Sequence, residues 1–129
     1  MNLAIPCVLK ADVPNVNGLI FTKESIDKMF KDYMQPRDCV QHRGCLKYAD
    51  GVTFPLNDAA FTIERIIDNG NEFLMEVTVL DTPSGNKLKD MINDGQELMI
   101  YNKYIGELTD TNTVTNLQMV YPTIQPKGS

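Results

Sequence analysis

Residues 72–95 read EFLMEVTVLDTPSGNKLKDMINDG, and the hydrophobic period changes within this stretch. The first part alternates apolar with other residues, which predicts a β-strand over 72–80 with one face in the core. That core face consists of Phe73, Met75, Val77 and Val79. From Thr82 onward the apolar residues take helical spacing, so a strand leads directly into a helix within one domain.

Thr82 and Pro83 predict the start of this helix, because threonine caps backbone N–H groups and proline suits the first helical position. Gly95 is typical of the residue just past a helix end. The apolar stripe between them consists of Leu88, Met91 and Ile92. An earlier helix is predicted by the same signals. Thr22 is its N-cap, Pro36 ends it by about residue 35, and its stripe consists of Ile26, Met29, Phe30 and Tyr33.

Strands are expected over most of the remaining chain. Pro6 places the first of them at a sheet edge or a bulge. Turn chemistry at Asn17 and Gly18 leads into a short returning strand, and residues 68–71 form a hairpin turn. Residues 38–58 are expected to form short strands and a loop. The other expected strands span 2–13, 19–21, 59–67, 98–108 and 114–121, the last closed by Pro122.

This order predicts an α+β fold with a mainly antiparallel, barrel-like sheet and two flanking helices. We expect a single domain over residues 1–122 and a polar C-terminal tail over 123–129. The chain has 129 residues, enough to bury a core without a disulfide or a metal.

The net charge of −5 argues against nucleic acid as a partner, because an acidic surface repels phosphate and no local cluster of Lys and Arg offsets it. No apolar run is long enough to span a membrane, and no signal peptide is evident. Three cysteines, an odd number, favour free thiols in a reducing cytosol.

Three segments, in the same order, resemble the T4-type prohead core protease family. Residues 11–21 read ADVPNVNGLIF, similar to the turn that opens these enzymes. Residues 80–89 read LDTPSGNKLK, similar to the family's strand, Thr-Pro-x-Gly turn and helix. Residues 99–106 read MIYNKYIG, in the register of the family's Gly-(Ile/Val)-Ser-Ser-Arg-Gly strand. The resemblance covers roughly residues 2–122 and implies the fold of this family and an origin among phage head-assembly genes.

The resemblance also implies that the catalytic residues are missing. A serine protease needs a hydroxyl nucleophile and a histidine base. The family's nucleophile position reads Tyr101 here, and the neighbouring serine reads Asn102. The two histidine positions read Tyr48 and Ala59/Ala60. We therefore expect a pseudo-protease rather than an enzyme.

Cys39, His42 and Cys45 are weak candidates for a metal site or for a Cys–His protease. Structural zinc takes four ligands, and Cys7 and Asp50 are candidates for the fourth, but nothing in the sequence requires either. Residues three apart in a loop rarely adopt catalytic geometry. We expect a loop histidine beside two half-buried thiols, with no metal and no cofactor.

Tyr101, Asn102, Lys103 and Tyr104, together with Tyr48, are the candidate ligand- or partner-binding residues. Two phenols, an amide and an ammonium group on one strand suit a polar pocket for a small or anionic ligand. The alternative is an ordinary strand whose tyrosines pack in the core or at an edge, and we favour that alternative.

These observations predict a non-catalytic phage protein, either an auxiliary or decoration protein of the capsid or a head-assembly factor. Its expected partners are capsid or other head proteins and further copies of itself, with the virion, assembled in the host cytoplasm, as its location. One alternative is a binding or inhibitor protein that uses the former active-site cleft. Another is an active protease with unrecognised catalytic residues.

Overall fold

The computed structural model describes residues 2–35, 42–47 and 58–128. Within these ranges it contains two helices and seven strands, in the order strands, helix, strands, helix, strands. They are β1 (Asn2–Pro6), β2 (Ile20–Phe21), α1 (Lys23–Tyr33), β3 (Arg43–Gly44), β4 (Phe61–Asp68), β5 (Phe73–Val79), α2 (Pro83–Asn93), β6 (Leu98–Leu108) and β7 (Thr113–Pro126).

The strands form two sheets. One sheet has the order β1-β5-β4-β3 and the other has the order β2-β7-β6. All pairs are antiparallel except β2 with β7, so the short second strand pairs with the start of the last strand rather than with β1. Isolated bridges join Cys7 to Ile100 and Cys45 to Thr123, but among the described residues no ladder continues across either junction. The α+β class is therefore confirmed, and the barrel-like closure is not.

The hairpin of β4 and β5 confirms the core face predicted from the alternating sequence. Phe73, Met75, Val77 and Val79 are all buried, and the residues between them are partly exposed. Burying each of these side chains contributes about 1.5–3 kcal/mol to stability, because its apolar surface is removed from water. A slip of one residue would expose all four, so their pattern specifies the register of this pair.

Both helix starts are capped as expected. The Thr22 hydroxyl accepts a hydrogen bond from the Ser25 N–H, and the Thr82 hydroxyl accepts one from the Gly85 N–H at 2.9 Å. Gly95 has φ 73° and follows α2, as its sequence position predicts. The buried face of α1 packs on β7 and contributes its whole predicted stripe to the core. No helix in the described residues is long and apolar enough to cross a membrane.

The first strand is shorter than predicted: it ends at Pro6, not at Val13. The Cys7 N–H still donates to the Phe73 carbonyl of β5 at 2.9 Å, and the chain then crosses towards the second sheet, where the Val8 N–H donates to the Ile100 carbonyl at 3.0 Å. It then turns back, and the Ala11 N–H donates to the Asn71 carbonyl at 2.8 Å. Residues 8–15 consequently form a wall beside β6 rather than a strand.

The last strand is longer than predicted, because β7 continues through Pro122 to Pro126. The prediction of a polar tail from residue 123 was therefore wrong for residues 123–126, which belong to the sheet. Pro122 lies opposite Asn102, and its carbonyl accepts from the Cys45 N–H on the side away from β6. Its missing N–H therefore costs no bond to β6. Thr123 and Ile124 are fully buried, which makes this segment part of the core.

Candidate functional site

The candidate residues on β6 divide between the two faces of its sheet. Ile100 and Asn102 are buried on the inner face, since alternate residues of a strand share a side. Tyr101 and Lys103 are half-buried on the opposite face. The four residues from Tyr101 to Tyr104 therefore cannot act as one polar set.

A cleft of about 390 Å³ lies between β6 and the wall formed by residues 8–15. Its size falls within the range of about 300–1,000 Å³ typical of ligand sites. Three of the candidate residues line it, and Lys103 does not. The lining residues are Val8, Leu9, Lys10, Val13, Pro14, Asn15, Phe21, Tyr101, Asn102 and Tyr104.

The two tyrosines of the cleft have different environments. The Tyr104 ring meets the Phe21 ring edge to face, with centroids 5.2 Å apart, and burial raises the pKa of its phenol. The Tyr101 hydroxyl accepts a hydrogen bond from the Gly128 N–H at 3.0 Å. Tyr101 therefore binds the C-terminal end of the chain. Tyr104, which is 37% exposed, presents aromatic surface to the cleft and to solvent.

Asn102 is the unusual residue of the site. Its side chain is buried, and neither its Oδ1 nor its Nδ2 makes a hydrogen bond of normal geometry to any described residue. The Cys7 thiol is its polar neighbour. Burial, the largest influence, raises the pKa of that thiol to about 12, and the amide acts in the opposite direction and lowers it. The thiol is thus held in the neutral form, which is a poor nucleophile.

Tyr101 also belongs to a row across the second sheet, because it pairs with Thr123 on β7, which is bridged in turn to Cys45 next to β3. Thr123 and Cys45 are both buried. The Thr123 hydroxyl donates to the Tyr101 carbonyl at 3.0 Å and accepts from the Gln125 amide at 2.9 Å. Lys103 lies near this row, with its Nζ 5.4 Å from the centroid of the Tyr121 ring. The polar side chains of this row are therefore already engaged in contacts within the chain.

His42 and Cys45 do not face each other. The His42 ring packs against Tyr33 of α1 with centroids 5.2 Å apart, whereas the Cys45 thiol donates to the Lys47 carbonyl at 2.9 Å. Residues three apart along an extended segment lie on opposite faces. Burial, the largest influence, raises the pKa of the Cys45 thiol.

Two sequence candidates, Cys39 and Tyr48, lie outside the described residues. Among the residues that are described, no group of three or more His, Cys, Asp or Glu side chains is placed to hold a metal ion. Ala59 and Ala60, the second of the expected histidine positions, are buried immediately before β4.

Sequence reasoning missed the wall of the cleft, residues 8–15, because it assigned most of this segment to a strand and a turn. A signal was present in the sequence. Val8, Val13 and Val16 are apolar residues in or near a stretch rich in Pro, Asn and Gly. Apolar side chains in a turn have no core of their own to enter, so they indicate a surface used for contact.

No protein-family model matches the chain, and no curated protein matches it either. A solved structure does: the bacteriophage T4 capsid assembly protease, gp21, superimposes with a TM-score of 0.81. The two share 25% sequence identity over 96% of this chain and 81% of that one. The chain therefore has a prohead-protease-like fold.

Proposed function

We propose that this protein is a non-catalytic head-assembly or decoration protein of a bacteriophage that acts by binding other head proteins. The similar structure is that of a capsid assembly protease, which supports the capsid context. The fold alone does not specify the activity, so the case for a non-catalytic role depends on the residues of the site.

The observation that carries the proposal is the composition of the cleft. Among the residues that the structure describes, the lining includes no serine, threonine, cysteine, histidine, aspartate or glutamate. Lys10, the one ionised side chain in this described lining, forms an ion pair with Glu72 at 3.2 Å. Hydrolysis of a peptide bond by this kind of enzyme needs a nucleophile and a base within hydrogen-bonding distance. The cleft lining supplies neither, whereas it does supply apolar surface for binding.

The environments of the described thiols and of His42 also support a binding role. The Cys7 thiol is buried and its pKa is raised to about 12, and the Cys45 thiol is directed at a backbone carbonyl. Both therefore remain protonated at neutral pH. His42 packs against Tyr33 and does not face Cys45.

A second candidate function is a binding or inhibitor protein that uses the same cleft against a partner outside the head. The depth of the cleft and its aromatic wall of Phe21 and Tyr104 favour it. The two functions share a binding surface and differ in the partner. Binding to purified heads separates them.

The test combines light scattering after size exclusion with co-sedimentation on heads of the same phage. We expect a defined oligomer that sediments with heads at a fixed stoichiometry. A protein that stays in the supernatant would contradict the head-assembly role and favour the second candidate.

Cleavage is tested separately by incubating the protein with purified head proteins and analysing the products by mass spectrometry. We expect intact proteins throughout. Cleavage that disappears in Cys45→Ser or His42→Ala would contradict the proposal and identify an active protease. Cleavage that persists in both variants would contradict it as well and would direct attention to other residues.

A further inference from the structure

The two sheets meet at two places, and each contact is a single bridge. On one side Cys7, which follows β1, is bridged to Ile100 of β6. On the other side Cys45, which follows β3, is bridged to Thr123 of β7. We call these contacts the first seam and the second seam. Both bridges are parallel, and within the described residues neither of them extends into a ladder.

The backbone bonds of the first seam show which group would extend it. The Cys7 N–H donates to β5, so the backbone groups of its two neighbours face β6, and the Val8 N–H donates to the Ile100 carbonyl at 3.0 Å. Leu98 lies two residues before Ile100, so its carbonyl faces the same way. The next bond of this parallel ladder would run from the N–H of residue 6 to that carbonyl. Residue 6 is Pro6, which has no N–H to donate.

The second seam repeats this arrangement. The Cys45 N–H donates to the Pro122 carbonyl at 3.3 Å, and the Ile124 N–H donates to the Cys45 carbonyl at 3.1 Å. Arg43 lies two residues before Cys45, so the next bond of this ladder would run from the N–H of residue 122 to the Arg43 carbonyl. Pro122 cannot donate it. In both seams, therefore, a proline occupies the position whose N–H would add the next bond.

These two prolines differ from those that protect an ordinary sheet edge. Proline on an edge strand usually faces solvent and prevents pairing with another molecule. Pro122, however, is fully buried, and its nitrogen faces β3 of the same chain. Pro6 faces β6, which is close enough for a bridge at the very next residue. The bonds that the prolines remove are therefore bonds within the molecule, and their loss weakens the hold of one sheet on the other.

We infer that the two seams are opening sites built into the fold, at which one sheet parts from the other while the pairing within each sheet stays intact. Pro6 and Pro122 maintain them by limiting each seam to one bridge. The first seam also holds the root of the wall formed by residues 8–15, because the Val8 N–H bonds β6 there. Opening of this seam releases the wall from β6. The inference is independent of the proposed function, since it requires no partner.

The difference in pairing predicts a difference in local stability. β4 pairs with β5 along its whole length, with one bulge, whereas each seam has a single bridge. Amide hydrogens exchange with solvent through local openings, and segments held by few cooperating hydrogen bonds open at the lowest cost in free energy. The amides at the seams should therefore exchange faster than the amides inside the hairpin of β4 and β5.

The test is hydrogen exchange followed by NMR of the ¹⁵N-labelled protein. In the wild type we expect the Val8 and Ile124 amides to exchange at least about tenfold faster than the amide of Thr78, which pairs with Thr62 within the hairpin. Pro6→Ala supplies the missing N–H of the first seam. Its amide at position 6 should be protected at least about tenfold relative to the unfolded chain, and Val8 should exchange about fivefold more slowly relative to Thr78.

Two further variants complete the test. Pro122→Ala should slow exchange at Ile124 relative to Thr78 and leave the first seam unchanged. Pro83→Ala is the matched control, because Pro83 is exposed at the start of α2, where a backbone N–H has no partner within the helix. All the variants give the unfolded chain the same added freedom, and rates expressed relative to Thr78 cancel this global effect. Pro83→Ala should therefore leave the relative rates at both seams unchanged.

Three results would overturn the inference: exchange at Val8 and Ile124 as slow as at Thr78 in the wild type, an unprotected amide at position 6 of Pro6→Ala, or the same slowing of the seams in Pro83→Ala. Pro122 is buried, so its replacement can leave a cavity that prevents folding. In that case Pro6→Ala decides the matter, since Pro6 is exposed and the variant should fold.

Discussion

At the scale of single residues, Asn102 is the main exception to the rule that buried polar side chains are hydrogen-bonded. Its amide is buried on the same face as Ile100, and no described residue gives it a hydrogen bond of normal geometry. A buried donor or acceptor without a partner costs about 1–3 kcal/mol. An apolar side chain of similar shape would avoid this cost. The stability of the isolated chain therefore gives no reason for an asparagine at this position.

We therefore expect Asn102→Leu to leave the free energy of unfolding unchanged or to raise it by about 1–2 kcal/mol, because leucine has the branching of asparagine without its polar atoms. Urea denaturation measures this change. Thr123→Val is the contrasting variant, since the buried Thr123 hydroxyl has two hydrogen-bond partners. The free energy of unfolding of Thr123→Val should be lower than that of the wild type by about 1–3 kcal/mol. A loss of similar size in Asn102→Leu would show that the amide is satisfied in solution.

Cys7 leads to a prediction about pH. The pKa of its thiol rises from 9.0 to about 12 on folding because of burial. Between these values the unfolded chain loses the proton and the folded chain keeps it, so stability falls as pH rises. The full contribution of Cys7 to the free energy of unfolding is present below pH 9.0, and it is lost as the pH rises towards about 12, the pKa in the folded state. From pH 9 to pH 11 the loss from this group is about 2–3 kcal/mol.

The measurement is urea denaturation at several pH values in the wild type and in Cys7→Ala. The variant has its own constant loss from the missing side chain, so the pH slopes are compared rather than the absolute stabilities. We expect a shallower slope in Cys7→Ala above pH 9, since lysine and tyrosine titrations are common to both proteins. Parallel slopes would show that the thiol is accessible to solvent.

At the scale of elements, α2 depends on a capping residue that also ties it to the sheet. The Thr82 hydroxyl accepts from the Gly85 N–H and donates to the Ala59 carbonyl. Gly85 itself has no room for a side chain, because a Cβ there would lie 1.9 Å from the Leu80 carbonyl oxygen. The start of this helix is thus specified both by a hydrogen bond and by close packing.

Thr82→Ala should lower the free energy of unfolding by about 1–2 kcal/mol, because the helix loses its cap and the Ala59 carbonyl loses a donor. Thr82→Ser keeps the hydroxyl and should lose less than half as much. Denaturation followed by far-ultraviolet circular dichroism measures both variants. Equal losses in the two would attribute the effect to the packing of the threonine methyl group.

At the scale of the whole molecule, the charge balance defines which partners the surface can attract. Acidic residues outnumber basic ones by 17 to 12. Several of the basic groups are held in ion pairs, among them Arg65 with Glu76 at 2.8 Å and Lys28 with Asp32 at 2.9 Å. These exposed pairs add little stability each, but they reduce the positive charge available to a polyanion.

We accordingly expect no binding of double- or single-stranded DNA at about 0.15 M salt, where non-specific binding depends on neutralising phosphates with Lys and Arg. A fluorescence anisotropy titration with a labelled oligonucleotide measures this. A variant in which acidic surface residues are replaced by lysine provides the positive control. Binding by the wild type that weakens steeply with salt would contradict this prediction.

The elements with strong local signals could be predicted from the sequence. Alternation along residues 73–79, caps at Thr22 and Thr82, and apolar stripes at helical spacing predicted β5 and both helices, and the structure confirms them. These signals depend on neighbours within one turn of helix or one strand, so they can be recognised without the fold. The α+β class followed from their order, and the resemblance to prohead proteases agrees with the fold found.

The ends of the strands and the composition of the candidate site could not be predicted locally, because they depend on contacts made in the folded chain. Proline is expected to end a strand because it has no N–H to donate. β7 nevertheless continues past Pro122, because at this position of the ladder the proline nitrogen faces away from Asn102 of β6. The separation of Lys103 from Asn102 across the sheet, and the cleft walled by residues 8–15, arise from contacts between segments far apart in the chain. Pairing partners and burial are set by the packing of distant elements, and a local pattern carries no record of them.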